Sequence, residues 1–320
     1  MLLTIYSQIY KPAVCRVATN VLNCRVLKLE DLFELAGIHE GDLTAPVQTF
    51  SLPSSKIEIG DEPSLMGVVN LSPDSWYRES VCLNTNDAIS RGKMLVAQGA
   101  AIVDVGGEST LLGAERVDAI GQSARLLPVI TNLSAAGVAV SAETYNPEVA
   151  KLSLEAGASI INLTGSGDAE AIYESVSSHE AAVIICFVQG ANAREVEDLK
   201  LDDDPVPMLL DYFGREIERA KSAGVNRIII DPGLGFYYRN LEDSADRVRH
   251  QMSVFLNTFR LRQLGWPVCH ALPHAFEYFG EEVRTAESFF AVLAALGKTS
   301  LFRTHEVPKV RAVLETLRAY

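Results

Sequence analysis

The chain has 320 residues, with Lys+Arg 28 against Asp+Glu 41, a formal net charge of −13 and 48% hydrophobic content. Such acidity disfavours a phosphate backbone or an anionic membrane surface as partner, and the apolar content is that of a globular protein rather than a disordered one. No apolar run reaches the roughly 18 residues that cross a bilayer.

At the N-terminus, MLLTIYSQIYKPAVCR has no basic residue before its apolar stretch and no small-residue cleavage site, so it does not read as a signal peptide. Cys15, Cys24, Cys82, Cys186 and Cys269 are odd in number, widely spread and without a CxxC pair. Reduced thiols in a cytoplasmic protein fit this better than a disulfide framework or a zinc site. Residues 1–61 form an N-terminal extension. KLEDLFELAG predicts a short helix, and VQTFSLPSSKIEIG a hairpin with a Pro-Ser-Ser turn, serving as a bottom cap or an oligomer contact.

Residues 62–320 repeat another rhythm, a short β-branched apolar run followed by a helical pattern. The runs are Leu65–Asn70, Ala101–Gly106, Val138–Ala142, Ser159–Leu163, Ala182–Phe187, Arg227–Asp231, Pro267–Ala271 and Ser300–Thr304. IVDV, IINL, VIIC and IIID are apolar on both faces, as parallel strands buried between layers are. Asn86 is placed to cap the helix after the first run, Pro147 opens another, and Gly224 stops PVPMLLDYFGREIERAKSAG. Asp202–Asp204 reads as a solvated loop before that helix. Eight consecutive units predict an α/β fold, a (β/α)8 barrel, over a doubly wound open sheet.

In such barrels chemistry gathers at the C-terminal ends of the strands. The residues there are Asn70, Asp104, Glu143, Asn162, Asp231, His274, Arg303 and His305, while His270 lies inside an apolar run and reads as a core histidine. Glu143, Asn162 and Asp231 suit a flat heterocycle bearing both donors and acceptors, because a carboxylate takes two parallel N–H bonds from an amino-pyrimidine edge. The glycines of GGEST and DPGLG expose backbone N–H groups, Thr110 adds a hydroxyl, and Arg303 with His305 supplies positive charge for an anion. A planar heterocycle beside a phosphate-like group is the ligand these residues suggest.

MGVVNLSPDSW (66–76), GAAIVDVGGEST (99–110), NPEVAKLSLEAGASIINLTG (146–165), IIIDPGLGF (228–236) and RTHEVPKVR (303–311) resemble the dihydropteroate synthase family, in family order and near-family spacing. The resemblance implies a (β/α)8 barrel that condenses 6-hydroxymethyl-7,8-dihydropterin diphosphate with para-aminobenzoate, or a related arylamine, in folate biosynthesis, releasing diphosphate with the help of Mg2+. It implies a catalytic set of Asn70, Asp74, Thr110 and Asp231, with Asn70 on the metal. Glu143, Asn162, Phe236, His274, Arg303 and His305 would bind substrate. Its partners would be these small molecules, with no nucleic acid and no membrane. Family members are commonly dimers through outer helices, and ESFFAVLAALG (287–297) is apolar enough for such a face or for packing on the barrel.

The chain departs from the family pattern at several positions. Glu143 replaces an Asp, Leu163 an Asp, Leu111-Leu112 an Arg-Pro, Leu272-Pro273-His274 a Ser-Arg-Lys, Tyr238 a Lys and Phe187 a His. At least two fixed positive charges are lost from a site whose leaving group is a diphosphate; Arg78, Arg116 and Arg239 are placed on loops that could replace them. Two other readings stay open: a pterin-dependent methyltransferase, and a pterin-binding paralogue with weakened turnover.

Overall fold

The computed structural model describes residues 26–320 apart from Ser54, Trp76, Leu112, Tyr237, Glu242 and Asp243. All eight expected strands form within it: β1 (Ser64–Asn70), β2 (Ile102–Gly106), β3 (Ala139–Thr144), β4 (Ile160–Leu163), β5 (Ala182–Cys186), β6 (Ile228–Asp231), β7 (Cys269–Ala271) and β8 (Leu301–Thr304). Neighbours pair in parallel, in the order β6-β5-β4-β3-β2-β1-β8-β7. A parallel bridge between Ile230 and Val268, with Ile230 N donating to Pro267 O at 3.0 Å, joins the two ends of this sheet and closes the barrel.

A helix of nine residues or more follows each strand: α1 (Thr85–Ala97), α2 (Ala119–Ala135), α3 (Pro147–Glu155), α4 (Ala169–Ser178), α5 (Val206–Ser222), α6 (Ser244–Leu261), α7 (Val283–Leu296, after a short turn of helix at Phe276–Phe279) and α8 (Val307–Arg318). The starts of α1, α2 and α3 are set by short polar side chains that accept from otherwise unpaired N–H groups. Asn84, not Asn86, caps α1, accepting from Asp87 N at 2.9 Å; Asn86 falls inside the helix because the turn begins two residues earlier. Asn146 caps α3 ahead of Pro147. Asp204 accepts from Val206 N at the start of α5 and pairs with Arg260 of α6 at 2.8 Å, so the acidic loop is tied down at one residue.

Every second residue of a strand faces the same way. Leu65, Val69, Val103, Val105, Ile161, Leu163, Val183, Ile185, Ile228 and Ile230 face the helices in the larger core. Met66, Ile102, Ala139, Ile160, Ala182, Ile184, Ile229, Cys269 and Leu301 fill the inside. This inner core lies toward the N-terminal ends of the strands, which leaves the other end for polar side chains. His270 is fully buried, 2.7 Å from Thr258 Oγ1 and tilted on Phe255, and burial lowers its pKa to about 3.

In the extension, the helix forms at Leu29–Ile38, and Phe50–Ser51 pairs antiparallel with Glu58–Ile59. Leu52 and Ile59 pack into the inner core beside Met66 and Ile102. Gln48 N donates to Gly265 O, Arg227 Nε to Ser51 O, and Arg262 pairs with Asp61 at 2.6 Å. Among the described residues no helix is long and apolar enough to cross a membrane.

Candidate active site

Beyond the inner core the inward positions of β2, β3, β4, β6 and β8 turn polar. Asp104 of β2 and Ser141 of β3 form the floor with Arg303 of β8, and Asp104 has no exposed surface. A buried carboxylate of this kind needs partners. Ser141 Oγ donates to its Oδ1 at 2.6 Å, while Arg303 Nε (2.7 Å) and Asn162 Nδ2 (3.2 Å) donate to its Oδ2. Arg303 also donates from Nη2 to Glu143 Oε2 at 2.6 Å, so two of its nitrogens are committed to carboxylates.

The next inward step forms the mouth: Asn70, Gly106, Glu143, Asn162, Cys186 and Asp231. Adjacent strands bring them together in register, Asn70 opposite Gly106, Gly106 opposite Glu143, Glu143 opposite Asn162, and Cys186 opposite Asp231. Cys186 stands between the two residues on which a heterocycle site depends, and its thiol donates to Asn162 Oδ1 at 3.2 Å. Asp231 accepts from Gly233 N at 2.8 Å. A glycine is required at 233 because φ is +75° and an added Cβ would lie 2.1 Å from Phe187 O. That N–H therefore holds the carboxylate rather than facing outward.

These side chains open onto a cavity of roughly 1000 Å³ including its mouth and the adjoining solvent. Asn70, Thr110, Glu143, Asn162, Asp231, Phe236, His274, Arg303 and His305 all line it. Asp74 does not line it; its Oδ2 accepts from Glu115 N at 3.2 Å and its backbone oxygen from Ser109 Oγ, which ties the loop after β1 (loop one) to the loop after β2 (loop two). Asn70 Nδ2 donates to Ser80 Oγ at 2.6 Å.

Burial dominates the electrostatics. It pushes Glu143 up to about 7, opposed by the Arg303 guanidinium and reinforced by Asp104. It pushes Asp231 up to about 6, opposed by its Gly233 N–H and Cys269 thiol hydrogen bonds. At the rim, Glu287 of α7 lies fully buried between His274 and His305, whose hydrogen bonds hold it below the usual carboxylate range although burial acts the other way. Burial lowers the His305 pKa, with Glu287 opposing. Tyr77 of loop one stacks on His305 (centroids 4.4 Å apart) and His274 (5.1 Å) and donates to Glu306.

A family model described as pterin binding enzyme matches residues 66–272. The dihydropteroate synthase of Mycobacterium leprae (strain TN) is 32% identical over 263 residues, covering 79% of this chain and 91% of that protein. The chain belongs to the dihydropteroate synthase family of pterin-binding enzymes. Two solved structures share the fold. The Xanthomonas albilineans dihydropteroate synthase with 4-aminobenzoic acid has a TM-score of 0.71 at 28% identity, covering 85% of this chain and 98% of that one. The Thermus thermophilus dihydropteroate synthase in complex with 6HMPPP has a TM-score of 0.68 at 25% identity, covering 85% and 99%.

Departures from the dihydropteroate synthase pattern fall in different places. Leu163 faces the helix layer, so it takes nothing from the cavity. Phe187 packs edge-on against Tyr212, and the Tyr238 hydroxyl accepts from Gln189 N, both on the outer side. Leu111, by contrast, lines the cavity. Arg78 donates to Pro73 O, and Arg116 pairs with Glu195 at 3.0 Å on the rim, so neither lines the cavity. The Arg239 side chain lies outside the described residues.

Sequence reasoning missed several lining residues: Tyr77, Glu108, Arg247 and Gln251. Arg247 and Gln251 carried a usable signal, since they stand one helical turn apart near the start of the helix after DPGLGF. Glu287 carried none, because it reads as one polar residue at the edge of an apolar helix.

Proposed function

We propose that this chain condenses 6-hydroxymethyl-7,8-dihydropterin diphosphate with para-aminobenzoate or a related arylamine. The observation that carries the reading is the convergence of Asn162 and Asp231 on one mouth, one strand apart across Cys186, with Glu143 alongside. Two carboxylates and an amide around one mouth match the alternating donors and acceptors of an amino-pyrimidine edge.

In this reading Asp231 accepts paired N–H groups from the pterin, and Asn162 meets a neighbouring acceptor or donor. Phe236, partly buried against the inner core, offers an apolar wall to the arylamine ring. The amine nitrogen attacks the pterin methylene carbon, a C–N bond forms, the C–O bond to diphosphate breaks, and the amine loses a proton to solvent. Holding both reactants in one cavity supplies much of the acceleration. His305 and Thr110 receive the departing anion; Arg303 takes part to the extent that the anion displaces Glu143.

Magnesium fits the donors present. An ideal Cβ on Gly106 would lie 3.4 Å from Glu143 Oε2 and 3.6 Å from Asn70 Oδ1, so the glycine leaves space flanked by two hard oxygens. Asn70 would hold the ion, which when bound neutralises diphosphate charge. The test is release of diphosphate from purified protein given the pterin diphosphate, para-aminobenzoate and Mg2+. Release sensitive to Asn162→Ala supports the reading. Tight pterin binding without release overturns it in favour of a paralogue with weakened turnover, the alternative that Leu111 on the cavity wall favours.

A further inference from the structure

We propose that His274, Glu287 and His305 form a binding site for a zinc-class divalent ion at the rim of the cavity. The three residues come from three elements: the loop after β7, helix α7 and the end of β8. Glu287 Oε1 lies 3.1 Å from His274 Nε2 and 3.0 Å from His305 Nδ1. One ligating atom from each residue lies within 4.8 Å of the others.

A tetrahedral ion with bonds of about 2.0–2.2 Å sets its ligand atoms about 3.3–3.6 Å apart, so the two Glu–His contacts need to open by a few tenths of an ångström, while the two imidazole nitrogens, within 4.8 Å of each other, close toward that spacing. Two imidazoles and one carboxylate are the donor set of an open zinc site, softer than the all-oxygen surroundings that magnesium takes.

The surroundings fix the ligands. Glu287 Oε2 accepts from the Thr304 hydroxyl and from the backbone N–H groups of His305 (3.1 Å) and Glu306 (3.2 Å). That support orients Oε1 toward the imidazoles, as outer hydrogen bonds orient metal ligands elsewhere. Tyr77 stacks on both rings with interplanar angles of 25°, which sets their planes. Thr304 and Glu287 are fully buried, whereas His274 and His305 line the cavity. An ion held here keeps an open coordination position toward the substrate.

This placement deepens the proposed function and rests on it for the choice of ligand. Leu111 stands in the cavity wall, and the Arg303 guanidinium there is already committed to Asp104 and Glu143. A divalent cation at the His-Glu-His cluster returns fixed positive charge to the side of the cavity from which a diphosphate departs. Its ligand in the open position is a phosphate oxygen.

The experiment uses the full chain, freed of metal by chelator dialysis and titrated with Co2+ as a spectroscopic probe. The expected result is visible absorption of a four-coordinate ion saturating at one equivalent and displaced by one equivalent of Zn2+. His274→Ala, a loop substitution, should weaken Co2+ binding at least about 100-fold, beyond the usual effect of losing an outer hydrogen bond, with the circular dichroism spectrum unchanged. His179→Ala, at an exposed surface histidine, should leave it as it was. No uptake, or uptake unaltered by His274→Ala, overturns the site. Calorimetry with inorganic diphosphate should then show about tenfold or greater tightening by Zn2+ in the parent chain and none in His274→Ala; equal affinities overturn diphosphate as the ligand. Absent turnover with Co2+ uptake intact counts against the condensation reading instead.

Discussion

Asp231 holds a charge that the fold makes costly, since the residue is 4% exposed and burial raises its pKa to about 6. The proposed function needs that charge to accept paired N–H groups. Asp231→Asn removes two charge-assisted hydrogen bonds of about 1.5–3 kcal/mol each, which predicts pterin affinity weaker by roughly two to four powers of ten in a fluorescence titration. Loss of less than a few-fold would show that the pterin edge is held elsewhere. The same variant tests the electrostatics. Between the ordinary aspartate value near 4 and about 6 the folded chain binds more protons at this site than the unfolded one. Stability from Asp231 therefore falls as pH rises through that window and levels off above it. Thermal melts at pH 4.5 and pH 7 should show Asp231→Asn gaining on the parent at the higher pH, and a gap that ignores pH would contradict this.

Loops one and two are shaped by buried side chains rather than by their own propensities. Arg194 comes from a short hairpin after β5, Gly190–Asn192 with Glu195–Val196, and reaches into loop two. It donates to the backbone oxygens of Ser109, Leu111 and Ala114, and lies 3.7 Å from Glu108. This arginine is spent on structure, which explains why Arg116, paired with Glu195 of the same hairpin, stays on the rim. Arg194→Ala leaves three carbonyls and a carboxylate short of a partner. Amide exchange in residues 109–117 should accelerate while that in β1–β8 stays slow; an unchanged loop would mean Asp74 suffices to hold it. At the helix starts, Asn146→Ala should cost about 1 kcal/mol in denaturant unfolding, the usual worth of such a cap.

At the scale of the molecule the barrel is asymmetric, apolar toward the N-terminal ends of its strands and polar at the other. We propose that the hairpin around Leu52 and Ile59 seals the apolar end, since both side chains are at most 2% exposed and pack on the inner core. Truncating Leu52→Ala leaves a void in a region with little freedom to collapse. The expected loss is about 2–5 kcal/mol, read as a melting temperature lower by roughly 3–8 °C in a chain of this size. A shift under about two degrees would mean that the inner core closes without the hairpin. Helix α7 turns Ala286, Glu287, Phe290, Ala291, Leu293 and Ala294 inward, so much of the apolar segment considered as a dimer face is packed on the barrel, with Phe289 and Leu296 left exposed.

The sequence by itself determined the eight strands, because a strand covered on both faces must be apolar at nearly every position and IVDV, IINL, VIIC and IIID are legible as such. It also determined which polar residues reach the mouth, since alternation along a strand is local geometry and Asn70, Glu143, Asn162 and Asp231 each fall on the inward phase. Only the tertiary structure decided what those groups meet. Arg303 pairs with Asp104 across the barrel floor, 199 residues away in sequence, and Glu287 leaves an ordinary helix to join two histidines from other elements. Such pairings depend on how strand ends and helices pack in three dimensions, a relation that no periodicity along the chain records.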